Sequence, residues 1–288
     1  MTDQTMRAAG APQFSIGNVL GTSFTVVSQN LLKFAAVPAV LIIPLVIVGF
    51  LIGFGMMRDV VPALQSGAMP TGGFFTGMVA LGLLFLCWSS LTSAVIVSGA
   101  FQALRMHSVQ LGSAFRRGFA ALVPVVLTTI ALFLLFLVVM IVCTVPLGII
   151  IALAGGTAGA SLGFALGIFI ALVPGAILWT MFWLYTPAIV VEAKGVGSSL
   201  SRSRELTKGR RWAVFGVIAI IIVANFALDL INRYVIGAVL GSVVQGVVSL
   251  ALMILLQAYT ATALTVTYYY LRADKEGISI DEIARVFD

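Results

Sequence analysis

Charge is scarce in this chain: only 9% of its 288 residues are Asp, Glu, Lys or Arg, against about a quarter in soluble domains. With 61% hydrophobic residues it has too little polar surface for a soluble globule, and an integral membrane protein is expected instead. Histidine occurs once, as His107, and cysteine twice, as Cys87 and Cys143. Both cysteines lie inside apolar runs and form no CxxC or Cys/His ligand pair, so they read as small buried hydrophobes rather than as metal ligands or disulfide partners.

Catalytic motifs are missing too. There is no HExxH, GxSxG or P-loop, and no Gly-rich nucleotide fingerprint in a strand context. His107 stands beside Arg105 without a carboxylate near it in sequence, so it reads as an interfacial residue rather than an acid/base catalyst. The expectation is a protein that is not an enzyme, with no catalytic residue, no cofactor and no metal. Coupled carriers keep Asp, Glu, Lys or Arg inside their spans. The spans read here hold none, because Glu192, Asp229 and Arg233 all fall near expected span ends. Asn225, Gln257, Thr260, Thr262, Thr265 and Thr267 are polar enough to line a modest cavity, but such groups more often bond to their own backbone or to a neighbouring helix.

What the chain does have is long apolar runs. Six are close to or above the ~20 residues that cross a bilayer: 34–57, 75–104, 121–145, 161–191, 212–230 and 235–271. Pro146 stops or kinks the third, Pro174 and Pro187 kink the fourth, and residues 147–153 either extend the third or turn back into the membrane. The fold class is therefore all-α, a polytopic bundle of six transmembrane helices. Its parts are a cytoplasmic N-terminal segment, 1–33, a six-span membrane domain, 34–271, and a cytoplasmic C-terminal helix, 272–288. Residues 1–13 lack the apolar core of a signal peptide. Residues 14–32 space Phe14, Ile16, Val19, Leu20, Phe24, Val27 and Leu31 as an amphipathic helix, which either lies in the interface or packs on the bundle.

The few charges are unevenly placed. Arg7 and Lys33 precede the first run, Arg105, Arg116 and Arg117 lie between the second and third, Lys194 and an arginine-rich island separate the fourth and fifth, and Arg272 and Lys275 follow the sixth. The alternate connections hold only Arg58 with Asp59, no charge at all in the Gly155 to Gly159 turn, and Arg233 near Asp229. By the positive-inside rule both termini are cytoplasmic. The net charge of +6 is then explained by topology and by anionic headgroups, and nucleic acid is not an expected partner. Arg116, Arg117, Arg202, Arg204, Lys208, Arg210 and Arg211 are the candidate contacts to anionic lipid.

Internal similarity accompanies the charge pattern. Helix starts at Ser15, Ser108 and Ser199 lie 93 and 91 residues apart, which suggests a surface helix plus membrane hairpin used three times. Ser279 and Glu282, spaced as a capping box, open a closing helix. Gly155, Gly159, Gly163 and Gly167 recur every four residues, as do Gly49 with Gly53 and Gly237 with Gly241. That interval lets helix backbones approach closely, within one chain or across a dimer seam.

The island and its downstream run, SRSRELTKGRRWAVFGV, the six-run layout and the closing YYYLRADKEGISIDEIA resemble the YciC-like bacterial inner-membrane proteins. They also resemble the related membrane domain fused to some glycerophosphodiester phosphodiesterases. The resemblance covers nearly the whole chain and implies a fold and an inner-membrane location. It does not carry over the phosphodiesterase activity, whose soluble domain needs a few hundred further residues rich in His, Asp and Glu. Three functions are left to weigh. A non-enzymatic scaffold or accessory subunit would touch anionic lipid and a protein partner at the cytoplasmic face. A transporter of a lipid or small molecule would use a cavity between spans three, four and six. An intramembrane enzyme ranks last.

Overall fold

The computed structural model describes residues 14–67, 69, 72–105 and 108–276. Every regular element among them is helical. The first, α1, spans Ile16–Gln29; Ser15, in an extended backbone, accepts the Asn18 amide proton at 3.1 Å and caps it. Then follow α2 (Leu31–Ser66), α3 (Gly72–Leu104), α4 (Leu111–Phe182), α5 (Tyr185–Glu192), α6 (Val196–Thr207), α7 (Arg211–Leu230), a π-helical segment (Ile231–Ile236) and α8 (Gly237–Glu276).

Four helical stretches, not six, are long and apolar enough to cross a membrane: Leu31–Ser66, Gly72–Leu104, Leu111–Glu192 and Arg211–Glu276. The last two contain 82 and 66 residues, and the difference from six has a simple geometric cause. Each is broken by one glycine in a backbone conformation that L side chains rarely adopt, Gly156 at φ 59°, ψ −142° and Gly241 at φ 82°, ψ 170°. The chain folds back on itself at both. A Cβ on Gly163 would lie 2.5 Å from the Leu147 carbonyl oxygen, and one on Gly167 would lie 2.5 Å from the Thr144 Cα. Around Gly241, the Asn232 side-chain amide donates to Ser249 Oγ at 2.6 Å. The α2–α3 pair forms the same kind of hairpin, with Gly67 closing α2 at φ 67° and Gly77 seated against Met56.

The three reversal glycines, Gly67, Gly156 and Gly241, are 89 and 85 residues apart. The hairpin tips therefore recur at a more nearly regular place in each pair of arms than the helix starts do. Those starts are not equivalent. Ser15 is a true cap, whereas α4 begins at Leu111 and runs on into its apolar arm without a separate surface helix, and Ser199 lies inside α6, whose N-cap is Gly195.

Several run boundaries move. The third run passes through Pro146 as helix up to the Gly156 reversal, taking residues 147–153 with it. The fourth ends at Phe182, and Pro187 sits inside the short α5 instead of kinking a long helix. The fifth does not stop at Leu230: helix continues through the π segment to Gly241, and only there does the sixth arm begin. Asp229 and Arg233, expected in a connection, accordingly lie on a continuous helix well short of the turn.

The densest packing is at the end of the bundle that carries α1, α5 and α6. Val19, Leu184, Leu206, Val214, Tyr268 and Leu271 are each fully or almost fully buried in one cluster. The last third of α8 passes through this cluster, so α1 is held on the bundle rather than lying apart from it. Tyr270 and Thr22 hydroxyls meet at 3.0 Å, and Tyr259 donates to the Leu20 carbonyl at 3.4 Å. Thr262, Thr265 and Thr267 are buried and donate to the carbonyls four residues back. These three threonine hydroxyls are therefore committed to their own helix backbone. Outward faces such as Val40, Ile47, Leu83, Val138 and Val223 expose large apolar side chains, as lipid-facing positions do.

Candidate functional site

Between α4 and α7 the chain must turn from one apolar arm to the next, and it does so through α5 and α6. The helix stops at Phe182, leaving backbone groups without intrahelical partners. Ser203 of α6 satisfies two of them: its Oγ donates to the Met181 carbonyl at 2.8 Å and accepts the Leu184 amide proton at 3.1 Å. Ser199, Ser203, Leu206 and Thr207 therefore face inward, and the 3.6-residue period turns Arg204, Glu205 and Lys208 out to solvent.

Arg202 is the exception among the arginines. Its side chain is only 13% exposed and lies across a cluster of acids from three elements. Nε donates to Glu192 at 3.1 Å, one terminal nitrogen to Glu276, and the other to Glu205 at 3.5 Å. Glu192, at the end of α5, also accepts from the Tyr268 hydroxyl and pairs with Lys194 at 3.2 Å. Glu276 is held by Arg272 one turn earlier on α8, at 2.7 Å, and the Lys275 ammonium donates to the Glu205 carbonyl. Burial raises the proton affinity of Glu192, but the Tyr268 hydroxyl and the Arg202 guanidinium outweigh it and hold the carboxyl below its ordinary value. Glu276 is depressed in the same way, burial being overcome by hydrogen bonds from Arg272 and Arg202. Arg202 is raised despite its burial, by Glu276 and Glu192. All three stay charged through the neutral range, and the cluster ties α5, α6 and α8 together.

The other candidate lipid contacts are arranged differently. Arg116 and Arg117 are exposed near the start of α4, Arg204 and Lys208 are exposed on and just after α6, and Arg211 is half-buried at the start of α7. Arg210 pairs with Asp274 at 3.2 Å. Lys33 donates to the Val109 carbonyl at 3.1 Å, tying α2 to the segment ahead of α4. His107, Arg7 and the capping pair Ser279 and Glu282 lie outside the described residues, while residues 272–276 continue α8 without a break.

Arg117 has a neighbour that the sequence did not announce. It lines a groove of about 360 Å³ with Lys194, walled by Ala120, Pro124, Ile189 and Val190. Beside it is a small recess edged by Arg117, Arg105 and Ser98. The Ser98 hydroxyl is buried with no hydrogen-bond partner, and the Arg105 guanidinium stacks 4.6 Å from the Phe101 ring. An apolar trough with cations at its mouth suits a molecule with an anionic head and an apolar tail. Lys194 was passed over as a topology marker; it lies 77 positions after Arg117, and that separation hid the groove they share.

A second cavity, of about 500 Å³, lies deeper. Thr129, Phe133, Phe136 and Trp179 of α4, Tyr185 of α5, Ser93 of α3 and Leu264 of α8 line it, and the Thr129 and Tyr185 hydroxyls meet at 2.9 Å.

Long apolar helices, hairpins closed by glycine and a basic rim define a helical membrane protein. The chain belongs to the family described as Domain of unknown function (DUF7847), whose model matches residues 15–272. No curated protein and no solved structure matches it.

Proposed function

We propose that this chain is a non-enzymatic inner-membrane protein of the YciC-like kind. Its three hairpins make six membrane crossings, and its basic rim faces the cytoplasm, where it holds anionic phospholipid and presents α6 to a protein partner as a scaffold or accessory subunit. The observation that carries this reading is the groove where Arg117 and Lys194 stand over apolar walls. A phosphate lies naturally between the two cations, and an acyl chain along Pro124, Ile189 and Val190. Arg202 is 13% exposed and committed to Glu192 and Glu276, whereas Lys194, although it too pairs with Glu192, keeps 34% of its side chain exposed at the groove. Lipid contact therefore falls to Arg117 and Lys194, with Arg116, Arg204, Lys208 and Arg211 adding to the field around them. The paired Arg210 adds less.

Each cation at a membrane surface contributes about 1 kcal/mol toward anionic lipid. Losing two costs about 2 kcal/mol, a fall of roughly 30-fold in affinity. The double variant Arg117→Gln, Lys194→Gln should release bound phosphatidylglycerol by about that factor in native mass spectrometry. Arg204→Gln with Lys208→Gln, which lie outside the groove, should have a much smaller effect. Equal losses from the two pairs would mean that the rim acts only as diffuse charge.

The 500 Å³ cavity favours a second reading, transport of a lipid or small amphiphile, since the third, fourth and sixth arms all contribute to its wall. Narrowing it with Ser93→Phe would slow flux of a labelled lipid in proteoliposomes if transport is the role, and would leave rim binding of phosphatidylglycerol unchanged.

A further inference from the structure

At the far end of α7 from the basic rim, a cavity of about 420 Å³ opens between α7, the π segment and α8. Asn225, Asp229 and Asn232 line it from one side at i, i+4 and i+7, a single helix face, and Ser249 lines it from the other. Phe226, Leu252 and Met253 complete the wall. The π segment begins at Ile231, in the middle of this face, and such widened turns occur often at functional sites. Asn232 is only 3% exposed. Its side-chain nitrogen donates to Ser249 Oγ at 2.6 Å, but its Oδ1 is buried with no hydrogen-bond partner. Turning the amide over would only exchange which of its two polar atoms is unmet. A buried polar group left in that state is a cost that a ligand removes.

The chemistry of the wall narrows the ligand. One carboxylate, two side-chain amides and a hydroxyl make a set rich in acceptors, which favours a cation. Among the described residues no three His, Cys, Asp or Glu side chains gather to hold a metal ion, and one wall is apolar, so an organic ammonium fits better than a bare ion. Asp229 pairs with Arg233 at 3.6 Å, but both side chains are more than half exposed, at 57% and 62%. An exposed pair of this kind is weak and exchanges readily for other partners. Counting ~1.5 Å per residue, Asp229 lies about 27 Å along the helix from Arg211, near the far edge of a ~30 Å hydrocarbon layer.

The geometry points to a phosphoethanolamine-type headgroup site in the outer-facing half of this hairpin: the primary ammonium donates to Asp229, Asn232 and Asn225, the adjacent phosphate pairs with Arg233, and the acyl chains lie against Phe226, Leu252 and Met253. This assignment rests on α7 crossing the membrane but not on lipid binding at the basic rim. A primary ammonium offers three N–H donors, whereas a choline headgroup offers none, so the site distinguishes the two.

Native mass spectrometry of the full-length protein, with added dioleoyl-phosphatidylethanolamine or dioleoyl-phosphatidylcholine, tests it. The wild type should retain the ethanolamine lipid at least about tenfold better than the choline lipid. Asp229→Asn, an exposed and nearly isosteric change, should abolish that preference, and Asp229→Glu should keep part of it. Arg117→Gln with Lys194→Gln should leave it intact, which separates this site from the rim. Equal retention of the two lipids by the wild type, or an unchanged preference in a folded Asp229→Asn variant, would overturn the assignment.

Discussion

Replacing Arg202 with glutamine should destabilise the folded protein by on the order of 3 kcal/mol, the cost of removing one partner from a buried ion pair. The effect is large because two half-buried carboxylates, Glu192 and Glu276, lose the same guanidinium at once. Glutamine has one side-chain amide and no charge, so it cannot bridge them. Arg202→Lys keeps the charge without the planar fork and should recover part of the loss. Thermal unfolding in detergent measures both. Acid should act on the same cluster. Glu192 and Glu276 are depressed below their ordinary value of 4.5 in the folded state, so their contribution is fully present above that value and is lost as pH falls through the lower folded values. The wild-type melting temperature should therefore fall below about pH 4.5, and the Arg202→Gln variant, which has already lost most of the interaction, should show a shallower dependence. Parallel curves would remove the cluster from the stability argument.

Gly163→Leu should be as damaging, for a steric reason. Its Cβ would stand 2.5 Å from the Leu147 carbonyl oxygen and 2.8 Å from the Gly148 Cα. These are backbone atoms, which cannot rotate away as a flexible side chain can, so the two arms of the α4 hairpin must separate. Overpacking typically costs about 1–3 kcal/mol, and a branched side chain against backbone belongs at or above the top of that range. Gly155 sits in the same glycine series but has no atom within 4 Å of its Cβ position. Gly155→Ala should therefore be neutral or slightly stabilising, since alanine is the better helix former. Protease resistance of the hairpin and the melting temperature report the contrast; equal loss from both substitutions would show that the glycines do not mediate close packing.

The glycine series shows how far the sequence could be read. The spacing of Gly159, Gly163 and Gly167 announced close approach, and the structure finds their partners one arm earlier in the same hairpin. Apolar runs and loop charges likewise located the long helices. The reversals were unequally legible. The adjacent glycines Gly155 and Gly156 marked the turn of the α4 hairpin, but Gly241 stands alone among apolar residues, so the fifth run seemed to end at the first charges, Asp229 and Arg233. In the fold those charges ride on continuous helix, and the polar face they form with Asn225 and Asn232 was hidden by the misplaced boundary. The island was misread in part for a different reason. Local sequence showed five cations against one acid, but Glu276 is 74 residues from Arg202 and Glu192 lies across a helix break. Periodicity carries no information about pairs between distant segments, so Arg202 looked as solvent-facing as Arg204. The two positions differ only in which face of α6 they occupy.

Accessibility of single cysteines to an impermeant thiol reagent in intact cells tests the central claim, six crossings with the basic rim inside. Cys87 is exposed and Cys143 partly so, so both are first replaced by serine. The probes must themselves be exposed, which rules out the buried Ser203 and Asn232 and recommends Ser66, Thr157 and Ser242 at the three hairpin tips and Ser198 at the rim. Ser66→Cys, Thr157→Cys and Ser242→Cys should label from outside, and Ser198→Cys only after the membrane is opened. Labelling of Ser198→Cys in intact cells, or protection of any one hairpin tip that then labels on permeabilisation, would contradict the account.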